Sequence, residues 1–178
     1  MRIRELTADD AEQYAALRLR MLREHSAAFT SSFEEDSRKP LAWVQKRISH
    51  DQDAPHNFVL GAFAEDGMLI GSVGLSVEVR NKQRHKALLF GMFVAPGNMA
   101  GGVGRALLDR CLERARTIPG LEQIDLTVTT TNPRAVRFYE AAGFRTFGLE
   151  ERALKIDGAY HPNAHMVLYL EPIVQQER

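Results

Sequence analysis

The sequence predicts an α+β protein: a mixed, mostly antiparallel twisted sheet of about seven strands with helices on both faces. Three observations predict it. Short runs rich in Val, Ile, Leu and Phe recur at 58–64, 68–79, 87–94 and 124–129, the length and composition of strands. Apolar residues at helical spacing occupy 7–26 and 103–117. The connections carry Gly, Pro, Asn and Asp, with no repeat, low-complexity tract or long linker. The order β, α, α, β, β, β, α, β, α, β, β implies a sheet that is antiparallel early and parallel around the helix at 103–117. One domain over 1–178 is expected at this length.

Residues 2–6 form the first strand. Thr7 caps a helix with Asp9 and Asp10 in its first turn, where acids suit the helix dipole. Its apolar residues, Ala11, Tyr14, Leu17, Met21 and Leu22, run to about Ser26. Residues 27–39 read as a loop. Pro40 opens a second helix whose Leu41, Val44 and Ile48 share a face. Glu65-Asp66-Gly67 joins the next two strands as a hairpin turn. After Ala87–Val94, the loop Gly97–Gly102 enters a helix with the apolar stripe Val103, Leu107, Leu108, Cys111, Leu112 and Ala115, ended by Pro119-Gly120. Ile124–Thr129 is a strand by β-branched content. Asn132 caps a helix with Pro133 at its first position and Gly143 at its end. Two strands, Phe144–Ile156 and Ala159–Leu170, meet at Asp157-Gly158.

The composition narrows the function classes. Twenty-three basic residues balance twenty-three acidic ones, so no net field favours nucleic acid or anionic lipid. The single cysteine, Cys111, leaves no internal disulfide and no multi-cysteine metal site, and fits a reducing cytoplasm. Met1–Glu5 lacks the apolar core of a signal peptide, and no apolar run approaches the roughly 20 residues that span a bilayer. His161 and His165 flank Pro162-Asn163-Ala164. In a strand interrupted by proline they lack helical i, i+4 geometry, and no third ligand is evident, so no metal is expected.

The strongest chemistry lies in Phe93–Leu108, FVAPGNMAGGVGRALL. Glycines let backbone N–H groups approach a ligand without Cβ interference. The helix behind them begins with unpaired N–H groups and about half a positive charge, a site suited to pyrophosphate. Taken alone, Gly101, Gly102 and Gly104 fit a plain loop-to-helix turn equally well. A P-loop would end in Gly-Lys-Ser/Thr, whereas Gly104-Arg105-Ala106 follows here. A dinucleotide fingerprint would need a third glycine after Gly102-Val103-Gly104.

A second pattern is Asn132-Pro-Arg-Ala-Val-Arg-Phe-Tyr139-Glu-Ala-Ala-Gly-Phe144. Asn132 and Tyr139 are seven residues apart, about two turns, which places them on one helix face roughly 10 Å apart. Asn132 alone reads as a cap, and Ala135, Val136 and Phe138 as core. Together, loop and helix resemble the GNAT superfamily of acetyltransferases. Met99–Gly104 matches the glycines of its Arg/Gln-x-x-Gly-x-Gly/Ala loop, with Met99 in place of the usual Arg or Gln. The helix matches the family's Asn-x-x-Ala/Ser-x-x-Phe/Leu-Tyr-x-x-x-Gly-Phe pattern without a gap.

The resemblance implies a GNAT fold, splayed between the strands flanking the glycine-loop helix. It also implies a cytoplasmic N-acetyltransferase that moves the acetyl group of acetyl-CoA to a primary amine in a ternary complex. Amines, amino acids and protein N-termini are the candidate acceptors, and homodimers are common in the family. Gly101, Gly102, Val103, Gly104, Arg105 and Ala106 would hold the cofactor, with amide donors from Gly102 to Ala106, and Asn132 would bind its pantetheine or phosphate region. A β-bulge before the loop, at Phe93, Val94 and Met92, would present backbone groups to it. Tyr139 would protonate the departing thiolate, a group of pKa about 8.5 served by a phenol of about 10. The strand Leu88–Val94 has no acid, so Glu78, Glu34 and Glu35 are the candidates for a base acting through water. Phe29, Phe33 and Tyr160 are candidates for the acceptor groove, while Trp43 reads as packing. The alternative on the same fold is a sensor that binds acyl-CoA without catalysis.

Overall fold

The computed structural model describes residues 1–49 and 51–170. Residues 171–178, included in the expected single domain, lie outside the described residues. The elements are β1 (Arg2–Glu5), α1 (Ala11–Glu24), α2 (Phe33–Asp36), α3 (Leu41–Ile48), β2 (Phe58–Phe63), β3 (Leu69–Val77), β4 (Lys86–Val94), α4 (Val103–Ala115), β5 (Gln123–Thr129), α5 (Pro133–Glu140), β6 (Arg145–Ile156) and β7 (Ala159–Tyr169). The seven strands form one sheet in the order β1-β2-β3-β4-β5-β7-β6. β4 and β5 are parallel, and every other neighbouring pair is antiparallel. A parallel pair needs a crossover, and α4 is that crossover. At the β6–β7 turn, Asp157 and Gly158 take φ values of 49° and 82°, two successive left-handed residues as a two-residue hairpin requires.

Both sheet faces are covered. On one, Leu107, Leu108, Cys111 and Leu112 of α4 pack with Leu60, Val73, Leu75, Leu89, Ile124 and Leu126. On the other, Ala11, Tyr14, Leu17 and Met21 of α1 and Val44 and Ile48 of α3 pack with Val59, Phe63, Leu69 and Phe93. Burial drives the Cys111 thiol up to about 12, opposed by the Arg114 charge. The thiol is an inert core group.

The stretch 27–39, expected to be loop, contains a helical turn of its own. Ser32 Oγ accepts from the Glu35 amide at 3.2 Å, and Glu35 Oε2 accepts from the Ser32 amide at 3.1 Å. This capping box supports α2. Asp36 closes the turn and is buried, where it accepts hydrogen bonds from Arg18 Nε and Lys39 Nζ. Arg18 also donates to Ser31 Oγ at 3.0 Å. Burial alone would raise the Asp36 pKa, but the hydrogen bonds from Lys39 and Arg18 outweigh it and hold the carboxyl below its ordinary range. This ion cluster fastens α2 to α1.

Asp36→Ala strands the Arg18 guanidinium in the interior and is expected to lower the unfolding free energy by about 3 kcal/mol at pH 7. A carboxyl whose folded pKa is depressed stabilises above its unfolded value and loses that contribution as pH falls through the folded one. Urea titrations should therefore show the difference between the two proteins shrinking below about pH 4.

Candidate active site

β4 and β5 run together only at their starts, where Lys86, Ala87 and Leu88 pair with Gln123, Ile124 and Asp125. Beyond that point the strands part. The cause lies in β4. Ser72 faces Phe93 while Gly74 faces Phe90, so β4 carries one extra residue across Gly91–Met92. Such a bulge bends its strand and sharpens the twist. Gly91 has a φ of 59°, which only glycine adopts cheaply. The buried Ser72 hydroxyl donates to the Gly91 carbonyl at 3.0 Å and locks the bulge.

The opening is a cleft. Leu89, Gly91 and Met92 form one wall and Thr127, Val128 and Thr129 the other. Asn132, Ala135 and Tyr139 of α5 close one side, while Ala28–Thr30, Leu154 and Asn163 close the opposite side. Tyr139 is buried against Phe138 and Phe144, with ring centroids 5.2 and 5.8 Å away. Burial pushes its hydroxyl well above a phenol's ordinary range, and the neighbouring Cys111 adds to the effect. Asn132 is the α5 cap, its Oδ1 accepting from the Ala135 amide at 3.1 Å, and it also lines the cleft. Cap and cleft residue are therefore the same side chain.

The glycine loop stands beside this opening. A 3₁₀ turn, Met99–Gly101, leads to Gly102, whose left-handed φ of 72° starts α4. The first amide bonded along α4 is that of Ala106, which donates to the Gly102 carbonyl at 2.9 Å. The expected run of free donors from Gly102 to Ala106 is thus shortened: the Ala106 amide is engaged in the helix, leaving Val103, Gly104 and Arg105 ahead of the ladder. A Cβ on Gly104 would lie 3.4 Å from Met92 Cε and 3.5 Å from Val94 Cγ2, so this glycine brings α4 close to β4. Arg105 is paired with Asp109 at 2.8 Å on the exposed helix face.

Other expected residues are placed differently. The bulge spans Gly91–Met92, so of the three expected residues Met92 lies in it while Phe93 and Val94 follow it. Phe93 turns into the α1 side of the core, near Tyr14 and Phe29 with centroid distances of 6.1 and 6.2 Å. Phe29 lines the cleft and also a groove that continues past it, walled by Arg23, Phe33, Glu34, Glu35 and Ala153–Asp157. Arg23 stacks on the Phe33 ring at 4.3 Å, and Glu35 is committed to its capping box. Tyr160 is exposed on the hairpin, with Arg152 and Lys155 over its ring. Glu78 is excluded from the cleft. Its amide bonds the Lys86 carbonyl at 2.9 Å, where β4 begins. That is about 20 Å of strand from Phe93. The antiparallel register of β3 and β4 carries it to the wrong end of the sheet.

The profile described as Acetyltransferase (GNAT) domain matches residues 3–166. The chain belongs to the GNAT acetyltransferase family. It is 33% identical over 140 residues to a spermidine N(1)-acetyltransferase of Vibrio cholerae, covering 76% of each chain. A GNAT-family acetyltransferase from Streptococcus pneumoniae superposes with a TM-score of 0.80 at 26% identity, over 94% of this chain and 98% of the other. The fold is also that of yncA from Salmonella typhimurium, solved with its cofactor acetyl-CoA, with a TM-score of 0.77 at 20% identity over 99% and 98% of the chains. This GNAT protein is accordingly an acyltransferase. Among the described residues no group of three His, Cys, Asp or Glu side chains could hold a metal ion. No described helix is long and apolar enough to cross a membrane.

Among the cleft residues that escaped the sequence reading are Thr129 and Asn163. Both are buried polar groups facing each other across β5 and β7. The available signal was an asparagine within a strand-forming run, where its type is depleted.

Gly91→Ala must hold a left-handed backbone and place a Cβ 3.7 Å from Tyr14 Oη. It is expected to cost about 1–2 kcal/mol, read as a fall of a few degrees in melting temperature.

Proposed function

We propose that this protein acetylates a primary amine by direct attack on acetyl-CoA, acting in the cytoplasm as a single catalytic unit. The observation that carries the reading is Tyr139, a phenol held protonated by burial on the wall of the cleft where β4 and β5 part. Val103, Gly104 and Arg105 offer amides at the α4 N-terminus for the pyrophosphate, and Asn132 reaches the cofactor from the α5 cap. The amine nitrogen attacks the thioester carbon, and the carbon–sulfur bond breaks. The thiolate takes the Tyr139 proton, and the proton lost by the amine reaches solvent and restores the phenol. Among the described residues no carboxylate lines the cleft, so water removes the amine's proton. The Vibrio cholerae relative is named for spermidine, which supports a small amine as acceptor. Met99 in place of the family's Arg or Gln favours the sensor alternative, whereas Tyr139 in the cleft favours catalysis.

The test is thiol release from acetyl-CoA with a panel of amines, amino acids and N-terminal peptides, run beside Tyr139→Phe. Loss of the acid should lower kcat about 100-fold or more, with the acetyl-CoA dissociation constant unchanged by titration. Equal turnover in both proteins rules out the acid role, and binding without any turnover indicates the sensor. Because the folded phenol titrates above its ordinary value, wild-type kcat should show no descending limb up to about pH 10.

A further inference from the structure

Thr129 Oγ1 lies 2.6 Å from the Ala27 carbonyl oxygen and 3.1 Å from Asn163 Oδ1. A hydroxyl has one proton and can donate to only one of them. The Ala27 carbonyl can only accept, and it is the nearer. The Thr129 proton therefore belongs to Ala27, and two oxygens facing each other at 3.1 Å would otherwise have no proton between them. Rotating the Asn163 amide by 180° resolves the conflict, since its two ends are nearly the same shape. Nδ2 then donates to Thr129 Oγ1, and Oδ1 takes the outer position, where the amide atom has no hydrogen-bond partner among the described residues. Asn163 lines the same cleft as Tyr139.

The face matters. Ala164 and Met166 pack in the α4–α5 core that contains Tyr139. Strand alternation turns Asn163 to the opposite face, where Ala27–Thr30 approach. Tyr139 and Asn163 thus border the cleft from its two sides. The thioester sulfur is served from the Tyr139 side, which leaves Asn163 on the side from which a nucleophile enters.

We propose that Asn163 Oδ1 is the acceptor-binding group of this enzyme, taking a hydrogen bond from the attacking amine's N–H and aiming its lone pair at the thioester carbon. Thr129 is a positioning residue that fixes the amide's orientation by accepting from Nδ2. This rests on the acetyl-transfer function above and specifies how that site holds its nucleophile. A neutral amide oxygen binds a neutral amine without raising its pKa, so the lone pair stays available. A carboxylate in its place would favour the ammonium form.

The experiment is steady-state kinetics with spermidine, or with whichever panel amine the wild type turns over. Asn163→Leu should raise the KM for the amine about tenfold, the loss of one buried hydrogen bond, with the KM for acetyl-CoA within about twofold of wild type. Thr129→Val should raise the amine KM several-fold and add nothing in the Asn163→Leu background. Asn163→Asp keeps the shape and an accepting oxygen, and it should move the kcat/KM profile about one pH unit to the alkaline side. An unchanged amine KM in Asn163→Leu, or an equal rise in both KM values, overturns the proposal. If Asn163→Leu does not fold, an unshifted profile in Asn163→Asp overturns it instead. A wild type that acetylates no amine defeats the function itself, and the proposal with it.

Discussion

The separation of β4 from β5 is the constraint on which the rest of the structure depends. Two parallel strands that begin as hydrogen-bonded neighbours lose each other after Leu88 and Asp125. One extra residue at Gly91–Met92 turns β4 aside. Ser72, reaching across from β3 to the Gly91 carbonyl, keeps it there. The parallel geometry demands a crossover helix, and that helix necessarily starts beyond the C-terminal end of β4. The glycine-rich turn, the free amides of α4 and the gap in the sheet are therefore adjacent for one topological reason. Ligands of open α/β sheets gather at such carboxyl ends.

The cleft has two chemically different sides. The α4–α5 side supplies backbone amides, an asparagine cap and a phenol kept neutral by its apolar surroundings. The α1–α2 side supplies neutral hydrogen-bonding groups, and its position is set by the Arg18–Asp36–Lys39 cluster. One carboxylate there binds two cations, so the cluster positions the wall and keeps a net positive charge at its outer end. Among the described residues, acidic side chains stand farther out, at Glu34, Glu35 and Asp157.

Features that depend on neighbouring residues in sequence were legible. Gly102 needs no tertiary information to start a helix from a left-handed turn, and Asn132-Pro133 writes its own helix start. The fold class followed from the same local chemistry, together with the rule that a parallel pair needs a crossover. Part of what escaped depends on register. Glu78 is a plausible base along the chain and an impossible one across it, because antiparallel pairing sends the end of β3 away from the end of β4. The bulge was expected at Phe93, Val94 and Met92; it takes in Met92 but begins at Gly91, an interior glycine of the kind that usually marks a bulge. The α2 turn was hidden in a polar stretch, yet Ser32-Phe33-Glu34-Glu35 is a capping box in plain sequence. Asn163 and Thr129 gain their meaning only from burial opposite one another, which no single segment records.

The partial seam between β4 and β5 also has a mechanical meaning. Strand ladders resist separation wherever their hydrogen bonds are continuous, and here continuity ends after Lys86–Leu88. The sheet is therefore two stiff plates, β1–β4 and β5–β7–β6, laced together along a short edge at the closed end of the cleft. Bending concentrates at such lacing, and a small rotation there becomes a larger change in the width of the gap at its open end. The compliance of the gap is stored in the same missing hydrogen bonds that open it.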